Sequence, residues 1–198
     1  MANDATGDIA VIFSPVIEGL MRTYGNRITP ELKAQMAQRG VNLDRLLPAY
    51  PLGTFEDAFR HAGESLYPDL DHVERWRRMG REFVEGFTHT AIGGALTAMG
   101  RLIGPRRTLE RAVRTFRNGS NYLGGETKVV SPTEVEVRTW MVEPYIDRWR
   151  GIPTLQLDYR VGILEGMMNA LQVKNPRVTL EEKSFDTQSA RYRVRWDP

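Results

Sequence analysis

The three histidines are the side chains best suited to metal or proton chemistry, and their spacing favours neither. His61 and His72 are separated by the Tyr67-Pro68 break, and His89 lies further along the chain, so no H-E-x-x-H or other short ligand spacing is present. Isolated histidines are more often surface or hydrogen-bonded core residues. The chain also has no cysteine, which removes thiolate ligands, thiol nucleophiles and disulfides. The sequence therefore predicts no metal site.

Serine, carboxylate and phosphate-binding motifs are missing as well. No serine stands in a G-x-S-x-G turn, and neither a Walker loop nor a G-x-G-x-x-G motif occurs. Carboxylate pairs such as Glu82 with Glu85 have the spacing of ordinary solvated surfaces, and general acid–base work needs a carboxylate with a shifted pKa. The sequence therefore predicts a protein that is not an enzyme and that uses no cofactor.

A run of glycines inside a helical segment is less ordinary. In a helix interior each glycine costs about 1 kcal/mol relative to alanine. One interpretation is a close helix crossing or a kink. The other is space for a ligand or for a partner's backbone, with threonine hydroxyls nearby. The glycines are Gly86, Gly93, Gly94 and Gly100, and the threonines are Thr88, Thr90 and Thr97.

A basic helix follows Gly104-Pro105. One of its faces carries Arg107, Arg111 and Arg114, and the opposite face carries Leu109, Val113 and Phe116. The basic face either meets a phosphate or an acidic protein partner, or is solvated and paired with acids such as Asp57, Glu64, Asp69 and Asp71. The net charge of +2 is too small to demand a polyanionic partner, so a nucleic-acid partner is not expected.

Helices predicted from the periodicity of the apolar residues must position these side chains. Apolar side chains recur at intervals of three and four in two successive segments, Val73, Trp76, Gly80, Phe83 and Phe87, then Ile92, Leu96, Met99, Leu102 and Ile103. Ser14, Thr29 and Thr54 are predicted to cap earlier helices. Near residue 120 the period changes to two, because Val135, Val137, Thr139 and Met141 alternate with polar residues.

The predicted fold is α+β, with about six helices followed by a small antiparallel sheet in the order β-β-α-β-β. Residues 154–159 are ambiguous between strand and helix, 160–171 indicate a helix, and 177–183 pair with 191–196 in a final hairpin. In that hairpin Arg191, Arg193 and Arg195 would share a face with Glu181. Residues 1–198 are expected to form a single domain, with a helical part at 1–119 and a sheet part at 120–198.

The chain resembles an uncharacterised family of paralogues, about 200 residues long, that is expanded in myxobacteria. The resemblance rests on residues 80–87, Thr90, Gly93-Gly94, Gly104-Pro105-Arg106-Arg107 and Leu109, with Glu18-Gly19-Leu20, residues 48–51 and residues 162–165. More remotely, the order of elements is similar to that of the haem nitric-oxide/oxygen-binding domains and of the 4-vinyl reductase and TRAPP-type ligand-binding fold. That resemblance implies a pocket between the helices and the sheet.

The same resemblance argues against haem. Haem-binding members carry a histidine on the helix before the sheet, whereas the equivalent helix here, residues 106–117, has none. Their Tyr-x-Ser-x-Arg propionate clamp is also missing, since the nearest segment reads Leu157-Asp158-Tyr159-Arg160-Val161. The cysteine cluster of many 4-vinyl reductase-type domains is absent too. The expected protein is free of haem.

The sequence and the resemblance together predict a sensory, ligand-binding domain whose apolar pocket holds a small apolar ligand. Candidate lining residues are Phe87, Thr90, Leu109, Val113, Phe116 and Met167. The alternative is a protein-interaction or scaffold module, a homodimer or one with another partner, that binds through Arg107, Arg111 and Arg114. Residues 1–8 lack the basic start of a signal peptide, and no apolar run is long enough to span a membrane, so a cytoplasmic protein is expected.

Overall fold

Helices fill the first part of the chain and a sheet dominates the second, as the change of period predicts. The structure is a computed structural model, and it describes residues 9–115, 119–154 and 156–198, apart from the side chains of residues 114, 115 and 156. The helices before the sheet are α1 (Ser14–Tyr24), α2 (Pro30–Gln38), α3 (Leu52–Leu66), α4 (His72–Thr88), α5 (Ala91–Ile103) and α6 (Pro105–Thr115). Two short strands, β1 (Val11–Phe13) and β2 (Ala49–Pro51), pair antiparallel beside them.

The second part follows the predicted order of strands and helix. It contains β3 (Leu123–Ser131), β4 (Glu134–Met141), a one-turn helix α7 (Ile146–Trp149), α8 (Gln156–Ala170), β5 (Arg177–Ser184) and β6 (Ser189–Arg195). The four strands form one antiparallel sheet in the order β3-β4-β6-β5. The ambiguous segment 154–159 resolves in favour of a helix from Gln156 onward, while residue 155 lies outside the described part.

One face of this sheet is buried and the other carries ion pairs. Val135, Val137, Tyr192 and Val194 are fully buried, in a core shared with residues of α6 and α8. On the opposite face Arg193 pairs with Glu181 at 3.0 Å. The alternation predicted for β4 and for the final hairpin is therefore confirmed, including the cross-strand ion pairs.

Glycines allow α4 and α8 to cross backbone to backbone. A Cβ atom at Gly80 would lie 2.8 Å from the backbone nitrogen of Ile163 and closer still to the carbonyl oxygen of Tyr159. From the other side, a Cβ atom at Gly162 would collide with the carbonyl oxygen of Arg77. Because real Cβ atoms do not approach backbone so closely, this crossing requires glycine, and it fixes α8 against the helical part.

Two predicted helix caps are wrong. Thr29 caps α2 as predicted, since its hydroxyl accepts a bond from the Leu32 N–H at 3.2 Å. However, α1 begins at Ser14 itself and α3 begins at Leu52, two residues before Thr54. Their first N–H groups donate to backbone carbonyls, Ser14 to Pro48 at 3.0 Å and Leu52 to Ala10 at 2.8 Å. Carbonyl oxygens of the residues that directly precede β2 and β1 thus accept from the first N–H groups of the two helices, which have no partner within the helix.

Within the described residues, no helix has the length and the apolar composition that crossing a membrane requires.

Candidate functional site

Local sequence signals define where α5 begins and ends. Thr90 is its N-cap, and the Thr90 hydroxyl accepts a bond from the Gly93 N–H at 2.9 Å. At the other end Gly104 has a φ of 83°, which favours glycine, and α6 starts directly afterwards. Arg101 donates to the Ala170 carbonyl oxygen at 2.8 Å and so ties α5 to the end of α8.

The apolar face of α5 is exposed, although its pattern is that of a buried helix. Ile92 is 70% exposed, Leu96 42% and Met99 39%, and the buried residues of this helix are Gly93 and Gly100. A helix with such a stripe normally buries it against protein. Here the stripe borders empty space.

That space is a cavity of about 420 Å³ between the helices and the start of the sheet. Its walls come from α1, α4, α5, α6, α8 and the segment that leads into β3. The apolar part of the lining includes Phe83, Phe87, Ile92, Leu96, Met99, Ile103, Ile163 and Met167. The volume and the apolar walls are typical of small-molecule sites.

Polar groups gather at the buried end of the cavity. Ser120, Tyr122, Tyr159 and Arg160 all line it, and each is at most 5% exposed. Arg160 donates to the Thr139 hydroxyl oxygen at 3.1 Å. Within the described part of the chain, the hydroxyl oxygens of Ser120 and Tyr159 have no hydrogen-bond partner.

The tyrosines at this end stay protonated at neutral pH. Burial raises the pKa of Tyr159 and of Tyr122 well above the usual tyrosine range. For Tyr122 the nearby Arg160 charge opposes that increase and the Glu56 carboxylate adds to it. Both hydroxyls therefore keep their protons, and the unpartnered hydroxyl of Tyr159 can donate a hydrogen bond to a ligand.

Some of the predicted pocket residues line the cavity and others lie elsewhere. Phe87 and Met167 line the cavity. Thr90 instead bonds within its own helix start, accepting from Gly93 and donating to the Phe87 carbonyl oxygen. Leu109 and Val113 are buried in the core between α6 and the sheet, and Phe116 lies outside the described residues.

The predicted partner-binding arginines lie on α6. Arg107 and Arg111 are exposed, and among the residues that the structure describes neither forms an ion pair with an acid. Arg111 also lines the cavity and donates to the Met99 sulfur at 3.7 Å. The side chain of Arg114 lies outside the description. Of the acids suggested as partners, Asp57 pairs with Arg39 and Arg60, and Asp71 caps α4.

The unusual glycines serve close packing at three of their four positions. A Cβ atom at Gly86 would collide with the Gly19 carbonyl oxygen, and one at Gly93 with the Phe87 carbonyl oxygen. A Cβ atom at Gly100 would meet the Leu171 side chain at 2.7 Å. Gly94 is less constrained, since its nearest neighbour would be the Thr88 carbonyl oxygen at 3.3 Å. Close approach therefore explains most of the glycines, and Gly100 also lines the cavity.

The surface interpretation of Glu82 is wrong. Its side chain is buried, and it accepts hydrogen bonds from Arg78 at 2.9 Å and from the Tyr67 hydroxyl. Arg27, from the turn after α1, lies 3.5 Å away. Because these partners come from three separate segments, spacing along the chain could not reveal the cluster. It joins α1 to α4 and lies outside the cavity lining.

Sequence reasoning also missed Ser120 and Tyr159 as candidate site residues, and Arg160 was noted only as part of an imperfect propionate clamp. One signal was present: Arg160 stands between apolar residues near the start of α8, a helix whose sequence is apolar apart from a few charged residues such as Asp158 and Glu165. A charged residue in such a helix is rarely buried without a purpose.

Comparison with known proteins gives a family and a fold. The family described as protein of unknown function (DUF2378) matches residues 10–197. No curated protein matches the chain. Among solved structures, an oxygen-binding H-NOX domain related to soluble guanylate cyclases, in its oxygen complex, is 18% identical, with a TM-score of 0.63 and 93% of each chain covered.

Two further structures agree. A mutant of the T. tengcongensis H-NOX is 17% identical, with a TM-score of 0.57 and with 92% of this chain and 94% of that chain covered. A structure concerned with haem redox potential and protein-induced porphyrin distortion is 14% identical, with a TM-score of 0.64 and with 93% and 100% covered. The α+β fold and the remote similarity to haem nitric-oxide/oxygen-binding domains are thereby confirmed.

The residues present do not fit a histidine-ligated haem. None of the three histidines lines the cavity as described: His61 bonds to Gln35 at 2.8 Å, His72 begins α4, and the exposed His89 caps its end. Within the described chain, no cluster of three or more histidines or acids is placed to hold a metal ion.

Proposed function

The chain belongs to the DUF2378 family, and with its fold and cavity as the premise we propose that it is a non-catalytic sensory domain that binds a small apolar molecule. The observation that carries this proposal is the exposed apolar face of α5. Ile92, Leu96 and Met99 border the cavity and remain in contact with water. A ligand that fills the cavity would remove this surface from water, which stabilises the complex by about 25 cal/mol for each Å² buried.

The chemistry of the lining supports binding rather than catalysis. The cavity lining, as far as the structure describes it, contains no histidine and no carboxylate. Its titratable groups are arginines, which stay charged, and tyrosines whose pKa burial raises. No group there would exchange a proton readily at neutral pH, as general acid–base catalysis requires.

Ligand binding would be signalled to a partner through a conformational change of α5. This helix is tied to its neighbours at its ends, while the apolar face between them meets few protein groups. A ligand that contacts the face would favour the conformations in which α5 lies against it. The resulting change of surface at α5 and α6 is the signal that a partner would detect.

The experiment is native mass spectrometry of the full chain purified from its own host, combined with lipid extraction. A co-purifying apolar molecule is expected in the wild type. Leu96→Gln, which places an amide in the lining, is expected to lose that molecule. Leu102→Gln is the matched control, because Leu102 lies on the same helix, is 88% exposed and is not part of the lining. No bound molecule in any sample, or equal loss in both variants, would contradict the proposal.

A second candidate function, a protein-interaction module, is supported by the exposed Arg107 and Arg111 of α6, which lack ion pairs within the described chain. These side chains and the neighbouring Leu102 would form a basic and apolar docking surface. Charge reversal of Arg107, Arg111 and Arg114 together is expected to release a partner in a pulldown from the native host. If the partner stays bound, this surface is not its binding site.

A further inference from the structure

An arginine without an acidic partner marks the buried end of the cavity. Arg160 is 5% exposed, and within the described chain no carboxylate lies at ion-pair distance from it. A guanidinium remains charged in any protein environment and presents a planar fork of N–H donors. Buried charges are normally paired. The charge of Arg160 therefore favours an anion at this end of the cavity.

Two hydroxyl groups that line the same cavity are also unused. Ser120 and Tyr159 are each 3% exposed and line the cavity, and the structure describes no hydrogen-bond partner for either hydroxyl oxygen. Leaving such groups unpaired disfavours the folded state, so native proteins seldom keep them without a reason. A ligand with acceptor atoms would satisfy both.

Resting on the proposed function, we infer that the ligand is a carboxylate with an unbranched apolar chain. Its carboxylate binds Arg160 and accepts hydrogen bonds from Ser120 and Tyr159. Its chain runs from this buried end along Leu96 and Met99 of α5 towards the open side of the cavity. The charge, the free donors and the apolar wall are then all used by a single molecule.

The donor set fits a carboxylate better than a phosphate. A carboxylate is planar, carries a single charge and matches the fork of one arginine. A phosphate monoester carries up to two charges at neutral pH. The other cation of the lining, Arg111, is exposed and lies near Met99, on the α5 side. One buried cation therefore balances one carboxylate.

The test is calorimetric titration of the full chain at about pH 8, where carboxylates are ionised. The ligands are dodecanoate and dodecyl phosphate, each below its critical micelle concentration, and dodecanol below its solubility limit. Dodecanoate is expected to bind at least about tenfold more tightly than dodecanol, since hydrogen bonds to charged groups are the stronger ones. Dodecyl phosphate is expected to bind more weakly than dodecanoate.

Three variants assign the preference to its residues. Arg160→Met is expected to weaken dodecanoate binding about a hundredfold and leave dodecanol binding within about threefold. Tyr159→Phe and Ser120→Ala each remove an unpaired hydroxyl, so the ligand-free protein should be as stable as the wild type or more so. Each should still weaken dodecanoate binding about tenfold. These two variants keep the test valid if Arg160→Met fails to fold.

The outcomes separate this inference from the proposed function. Equal binding of dodecanoate and dodecanol, unaffected by the variants, would overturn the carboxylate inference and leave the apolar cavity supported. Tighter binding of dodecyl phosphate would also overturn it, as would loss of the preference in Arg111→Met in place of Arg160→Met. Failure of all three ligands to bind would overturn both the inference and the proposed function.

Discussion

Helices α4 and α5 carry the same sequence pattern and end in different environments. In both, apolar residues recur at intervals of three and four. In α4 the middle of the pattern is buried, since Trp76 is 1% exposed and Gly80 is buried, whereas Val73 at its start is 40% exposed and Phe83 and Phe87 line the cavity. In α5 the equivalent residues border a cavity and remain exposed, and Gly93 and Gly100 are the residues that pack.

The difference shows what hydrophobic periodicity reports. The pattern indicates that one face of a helix is more stable when it is buried away from water, but it does not indicate which part of the protein, or which ligand, covers that face. The apolar face of α4 is covered by α1 and α8, which approach it closely because of Gly80, Gly86 and Gly162. For α5 no protein element covers the face within the described chain, so a ligand is the simplest cover.

The largest difference is expected between two glycine-to-alanine substitutions. Gly80→Ala would push a Cβ atom into the α8 backbone and should cost about 4 kcal/mol or prevent folding. Gly94→Ala in α5 should change stability by no more than about 1 kcal/mol, because the gain in helix propensity is opposed by the 3.3 Å approach of the new Cβ atom to the Thr88 carbonyl oxygen. Urea denaturation measures both. A neutral Gly80→Ala would contradict the backbone-to-backbone crossing.

Two methionines provide the next comparison, because the same side chain occurs in both environments. Met79→Ala in α4 removes a buried side chain and should cost about 3 kcal/mol. Met99→Ala in α5 should cost less than about 1 kcal/mol without ligand, since this side chain is 39% exposed. The free energies of unfolding of the two variants check this. Equal losses would mean that α5 is packed in solution as α4 is.

The buried carboxylate of α4 is expected to matter more than its exposed neighbour. Glu82→Gln should cost about 2 kcal/mol, because Arg78, Arg27 and the Tyr67 hydroxyl lose a charged acceptor. Glu85→Gln on the same helix is exposed and should stay within about 0.5 kcal/mol of wild type. Thermal or urea unfolding distinguishes them. Indistinguishable variants would show that the Glu82 cluster contributes nothing to stability.

The smallest expected effect is a pH dependence at Tyr67. Burial, reinforced by the Glu82 carboxylate, raises the pKa of Tyr67 to about 12 in the folded protein. Since the unfolded value is near 10, this contribution to stability is complete below about pH 10 and is lost as the pH rises through about 12. The stability difference between wild type and Tyr67→Phe should therefore shrink over that range. A constant difference would contradict the raised pKa.

The sequence predicted the regular parts of the molecule because those parts follow local rules. The period of two in β4 and the ion-paired hairpin depend on alternation, and Thr29 depends on a short capping motif. Ser14 and Thr54 failed as caps because carbonyls distant in the chain satisfy the first N–H groups of α1 and α3.

The site was less predictable because it is assembled from distant segments. Phe87 and Met167, which were predicted from the apolar faces of their helices, line the cavity. Leu109 and Val113 satisfy the same criterion but face the sheet itself, which period alone cannot distinguish. Ser120 lines the cavity from the segment before β3, whereas Tyr159 and Arg160 line it from α8, so no spacing rule could have found the three together.

The central claim is that a ligand covers the apolar face of α5 inside the cavity. Methyl NMR of the full chain labelled at its methionines, during titration with dodecanoate, tests this most directly. The signals of Met99 and Met167, which line the cavity, are expected to shift on binding, while those of the buried Met36 and Met79 are expected to stay unchanged. Shifts confined to Met36 or Met79, or no shift at saturating dodecanoate, would contradict the claim.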